Sequence, residues 1–208
     1  MLKSSLSLSI LACISATCCG ESPSEFESTE RRIAADETIE IEEFKFRMRL
    51  PEGWYSVSTQ ESEHLARLTK HVDLGNSEEV DKAFDKAVDD IKRHVSIWNV
   101  PKSDRNSSRL AAGIRVSSGA PDSKRTKALN SLTDYQEGVI ELLMVTRAFR
   151  TRVLSRPKIV KLGGREFTMF EFLQDFPNGK TLYQRHYDTF FGDVNFNVVV
   201  AARTRDQL

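Results

Sequence analysis

Residues 158–203 read KIVKLGGREFTMFEFLQDFPNGKTLYQRHYDTFFGDVNFNVVVAAR, and this stretch decides the fold. Three two-residue turn signals, Gly163-Gly164, Asn178-Gly179 and Gly192-Asp193, cut it into runs of strand length. Such pairs tolerate the positive φ angles that tight hairpins need. The predicted strands are Lys158–Leu162, Glu166–Asp175, Thr181–Phe191 and Val194–Arg203, an antiparallel meander. Successive strand residues point to opposite faces. In the last run Val194, Phe196, Val198, Val200 and Ala202 therefore share a face, while in the second Phe167, Met169 and Leu173 oppose Phe170 and Phe172. A sheet with apolar groups on both sides must be covered on both. The expected fold is an α+β sandwich: one antiparallel sheet ending in the meander, with helices packed on both faces.

Working toward the N-terminus, Ser131 or Thr133 caps a predicted helix whose apolar face runs from Leu132 to Phe149, and Pro157 stops whatever helix remains. Val95–Val100 and Leu110–Ser118 read as short strands. Before them, Val80, Ala83, Phe84, Ala87, Val88, Ile91 and Val95 recur at three and four, predicting a helix over 77–95. Residues 44–55, FKFRMRLPEGWY, alternate apolar and basic side chains and close in Leu50-Pro51-Glu52-Gly53, which suits a type I turn with Pro second and Gly fourth. Trp54 is expected to plug the sheet end, with ligand stacking as the alternative.

This order of elements, with LPEGW at 50–54 and LGGREF at 162–167, resembles the PsbP-like fold family over residues 40–203, and within it the exported bacterial DcrB-like lipoproteins. The resemblance implies a binding or assembly module rather than an enzyme. It transfers no functional residue, because both stretches read as fold signatures and one fold hosts unrelated roles.

The first 19 residues carry one charge, Lys3, then a short serine-diluted apolar run and small residues, the plan of a secretory signal. All three cysteines lie here, so the body has no disulfide framework. Cys18 and Cys19 are the candidate lipidation sites of a bacterial lipoprotein signal; plain secretion is the alternative. Residues 20–39 are polar and read as a flexible tether, and residues 40–208 as the folded domain. The chain is thus expected to be exported to the cell envelope and lipid-anchored, facing the periplasm or the outside. Lys plus Arg equals Asp plus Glu, 30 each, so no basic field points to nucleic acid.

Candidate chemistry is sparse. His64, His71, His94 and His186 form no metal-ligand spacing, no nucleophile motif is present, and neither a catalytic set nor a cofactor is predicted. His186 and Asp188 alternate onto one side of a strand, beside Gln184, as an acid–base pair would or as an ordinary polar patch. Arg147, Arg150, Arg152, Arg156, Lys158 and Lys161 make a basic run suited to an anionic membrane surface or an acidic partner, with Arg147, Arg150 and Arg152 as the leading contacts. The resemblance implies a helix after the last strand; few residues follow Ala202, so that helix is expected to be absent or supplied by something else, which would leave Phe170, Phe172 or Val198 partly wet. Self-association or an envelope partner docking there is expected. These features point to a non-enzymatic, membrane-tethered binding or assembly module of the cell envelope. The alternative is a small-ligand carrier or hydrolase with its site near His186 and Asp188.

Overall fold

The computed structural model describes residues 30–67, 78, 82, 89–101, 103, 112–119, 129–145, 149–177 and 179–208. The signal-like segment with Cys18 and Cys19, Arg147 and His71 lie outside them. The four predicted C-terminal strands are present as β7 (Arg150–Leu162), β8 (Arg165–Asp175), β9 (Thr181–Phe191) and β10 (Val194–Ala202), paired antiparallel in a meander. Gly163 and Gly164 both have positive φ, and Gly192 has φ +63 while Asp193 does not share that sign, so the first hairpin closes through two left-handed residues and the last through one.

The meander is half of an eight-stranded sheet. The other members are β1 (Arg31–Arg32), β4 (Tyr55–Ser56), β5 (Ile91–Trp98) and β6 (Gly113–Gly119). The order across the sheet is β1-β4-β5-β6-β10-β9-β8-β7, with every neighbouring pair antiparallel. The sheet already includes Arg31–Arg32, inside the stretch expected to be a tether. β2 (Thr38–Ile41) and β3 (Phe46–Arg49) form a separate two-stranded sheet, linked by a 3-10 helix over Glu42–Phe44. Two α-helices have their bounds among the described residues: α1 (Thr59–Arg67) and α2 (Leu129–Val145).

The expectation of helices on both faces is therefore corrected: the fold is mostly β. α2 packs on β7, β8 and β9, and α1 packs on β5. The opposite face is covered by the β2–β3 hairpin and its 3-10 link, which bury Ile41, Phe44 and Leu50 against Val95, Ile97, Val116, Phe167, Phe196 and Val198. An apolar sheet face needs an apolar cover, and a second strand pair meets that need as well as a helix. Phe44 anchors the contact, with its ring centroid 4.9 Å from that of Phe196 and 5.0 Å from that of Phe191. Phe170, Phe172 and Val198, expected to be partly wet, are all buried. Beyond β10 the chain turns into a 3-10 helix, Arg205–Gln207, and the Leu208 carbonyl oxygen accepts from Arg185 Nη1.

Local boundaries differ in informative ways. In residues 44–50 the alternation holds, but the strand starts at Phe46 because Lys45 adopts φ +47 and closes the 3-10 helix. The following turn is one residue later than predicted: Trp54 N donates to Pro51 O, which places Gly53, at φ +76, third in the turn, where a positive φ calls for glycine. The helix predicted over 77–95 falls largely outside the described residues; Glu78, Lys82 and Asp89 are helical, and from Ile91 the chain is strand. The second predicted helix ends at Val145, and Pro157 is no helix stop but part of edge strand β7. It sits where the register slips between Ser155 and Lys158, a place where a missing backbone N–H costs no ladder bond.

Candidate functional site

The sheet face beneath the helices is unusually polar. Cross-strand pairing sets Arg93, Ser117, Asn197, Asp188 and Thr168 in one row over five strands. The next row is Ser96, Arg115, Val199, His186 and Phe170. All ten are buried. Polar groups placed there need partners, because desolvation without a hydrogen bond is costly.

Asp188 has them. Its Oδ2 accepts from Gln136 Nε2 of α2 at 2.5 Å and its Oδ1 from Asn197 Nδ2 at 2.9 Å. Gln184 Nε2 donates to Gln174 Oε1 at 2.7 Å, and Gln184 Oε1 lies 3.3 Å from His186 Nε2. The His186 ring lies against Phe170 and Phe172, with centroids 4.9 and 5.1 Å away. Burial, with Arg115 as the lesser cause, pushes the imidazole from its ordinary 6.5 down to about 3, so it is neutral near pH 7. His186 and Asp188 do share a face, as their spacing indicated. They do not bond to each other: Asp188 fastens α2 to the sheet, and His186 continues the Gln174–Gln184 chain. As placed, the two form no proton relay.

Several atoms of this layer have no protein partner: His186 Nδ1, Gln136 Oε1, Gln174 Nε2, Asn197 Oδ1, both side-chain polar atoms of Asn195, and Arg93 Nε and Nη2. Arg93 and Asn195 were not singled out from the sequence. Arg93 falls within the helix predicted over 77–95, and no sequence pattern marks it for burial. Its actual direction comes from a β-bulge between Arg93 and Val95, which lets Arg93 face the helices while Val95 faces the hairpin.

The described part of the basic run, from Arg150 on, lies apart from this layer, on β7 at the sheet's edge. Arg150 and Arg152 are exposed; Arg152 pairs with Asp175 at 3.1 Å and Arg156 with Glu137 at 2.5 Å. The end of the β7–β8 hairpin is more open. Lys158, Ile159 and residues 161–166 are all exposed, and Ile159 and Leu162 are two of the three large hydrophobic side chains exposed among the described residues. Arg165 folds back, its guanidinium 3.8 Å from the Phe191 ring centroid. Trp54 is half-buried beside the hairpin-side core, a partial plug rather than a complete one.

Among the described residues no cluster of His, Cys, Asp or Glu could hold a metal, and no helix is long and apolar enough to cross a membrane. No family model and no curated protein matches the chain.

Proposed function

We propose that the protein is a non-enzymatic binding module of the cell envelope, tethered through its N-terminus and resting on an anionic membrane surface by the end of the β7–β8 hairpin. The observation that carries this reading is the composition of that hairpin end, where Lys158 and Lys161 alternate with the exposed Ile159 and Leu162. Lysines beside an anionic bilayer contribute about 1 kcal/mol each, and apolar side chains between them add burial in the headgroup region. The signal-like start and the resemblance read from the sequence point the same way. The positions of His186 and Asp188, buried and bound to other groups, favour it over the hydrolase alternative. Strand addition at the same edge is disfavoured, because Pro157 and two register shifts interrupt the β7 ladder.

Vesicle co-sedimentation of the mature chain without its lipid tests the proposal. Vesicles containing phosphatidylglycerol should retain it and neutral vesicles should not. Lys158→Glu with Lys161→Glu should abolish retention, Ile159→Ser should weaken it, and added salt should release the protein. Equal retention on neutral and anionic vesicles, or none on either, would overturn this reading.

A further inference from the structure

The most exacting unexplained feature lies at the other end of the molecule, between β5 and α1. Arg93 is 3% exposed, and its Nε and Nη2 have no hydrogen-bond partner. Those two atoms form one edge of the guanidinium, the edge that grips two oxygens of a planar or tetrahedral oxyanion in parallel. A second buried guanidinium, that of Arg115, is close enough to repel Arg93, and the half-buried carboxyl of Glu63 on α1 is close enough to attract it. Burial and Arg115 outweigh Glu63, and bring Arg93 down to about 9. Glu63 makes no hydrogen bond to the open edge. A buried cation without a direct partner is among the most costly arrangements in a protein interior.

The surroundings hold this geometry in place. The bulge after Arg93 turns its side chain to the helix side, beside Ser117. Arg115 lies over the Trp98 ring, 6.0 Å from its centroid. Trp98 in turn lies against Gly113, where an added Cβ would meet the ring at 2.9 Å. Gly113 therefore leaves room for the ring that Arg115 lies over.

We propose that the open edge of Arg93, flanked by Arg115 and Ser117, is a binding site for a small oxyanion, a carboxylate or a phosphate group. The anion supplies two acceptors to Nε and Nη2 and relieves the repulsion between the guanidinia. Glu63, at the half-exposed margin, gives the site a competing carboxyl that an incoming anion displaces electrostatically. The site is separate from the β7–β8 hairpin, so either proposal can fail alone.

The test is an NMR titration of the arginine Nε–Hε signals in the folded wild type, with inorganic phosphate in one series and acetate in another, at constant ionic strength set by chloride. The Arg93 signal, assigned by its loss in Arg93→Gln, should shift saturably. A shift with phosphate alone would assign a tetrahedral ligand, and one with both a general oxyanion site. Thermal unfolding gives the second readout. In chloride, Arg93→Gln should be at least as stable as wild type, since it removes an unmatched buried charge. In phosphate the wild type should gain a rise in Tm, growing with the logarithm of concentration, that the variant lacks; this difference cancels the general stabilisation phosphate gives to any protein. If Arg93→Gln does not fold, the signal is assigned instead through backbone connectivity in the wild type. An Arg93 signal unmoved by either anion would overturn the proposal. So would a folded Arg93→Gln variant whose Tm rises in phosphate as much as that of the wild type.

Discussion

The two faces of the eight-stranded sheet are covered by different means and held by different forces. On the hairpin side, Phe44, Phe46, Phe191 and Phe196 interlock with aliphatic residues of β5, β6 and β10. On the helix side, α2 is joined to the sheet through Gln136 and Asp188, and the row beneath runs from Arg93 to Thr168 without a large apolar side chain. Apolar burial tolerates small shifts, since it scales with area rather than direction. A buried polar layer does not, since each missing partner leaves a desolvated group. Both sides bury large apolar groups, the helix side through Leu132, Ile140 and Leu143 of α2 and Phe170 and Phe172 of β8, so what sets the helix side apart should be its sensitivity to pH and to single polar substitutions.

Phe196→Ala is the strongest test of that contrast. Phe196 is fully buried and lies against the rings of Phe44, Phe46 and Phe191, so its loss should cost about 3–5 kcal/mol in urea unfolding. A cost no greater than that of the polar substitutions below would break the comparison.

The next effect is on pH. His186 is held from 6.5 down to about 3, so the unfolded chain takes up a proton that the folded one refuses. Its contribution to stability is fully present above pH 6.5 and is lost as the pH falls toward 3. The slope approaches ~1.4 kcal/mol per pH unit, or roughly 3 kcal/mol by about pH 4. His94, on the hairpin side, is also lowered by burial and acts in the same direction. Denaturant curves across this range should be flatter for His186→Gln, and an unchanged slope would mean that the layer admits the imidazolium.

Asn197→Leu removes one of the donors to Asp188 without opening a void. It should cost about 1–3 kcal/mol, the usual penalty for a buried group left short of a bond. Its near-neutrality would show that α2 does not depend on Asp188.

Trp54→Ala sharpens the edge of the comparison. A fully buried Trp there would cost as much as Phe196, but Trp54 is half-buried, so about 1–2 kcal/mol is expected in the same assay. A larger loss would mean that the ring seals the hairpin-side core.

Where turn chemistry and periodicity were strong, the sequence was legible. β8 and β9 match their predicted bounds to within a residue, because paired glycines and alternating aromatic residues leave few other readings. The inward alternation of Phe44 to Leu50 was legible for the same reason. Helix ends were not. Val95 and Phe149 continue a helical spacing, yet β5 and the approach to β7 claim them, because pairing in a large sheet overrides a local period. His186 and Asp188 share one face as their spacing indicated, but the partners of Asp188 come from α2 and β10 and the ring neighbours of His186 from β8, all distant in sequence.

Local order, then, was determined by the sequence alone: the meander, its turns, the alternation before Pro51 and the two-sided burial of β8. Each depends on the φ a residue tolerates or the side its Cβ takes, and neighbours settle both. What covers each face, which polar atoms meet, and that a bulge turns Arg93 inward were decided only by the tertiary structure. Those outcomes depend on contacts between segments far apart in the chain, and no local pattern carries them.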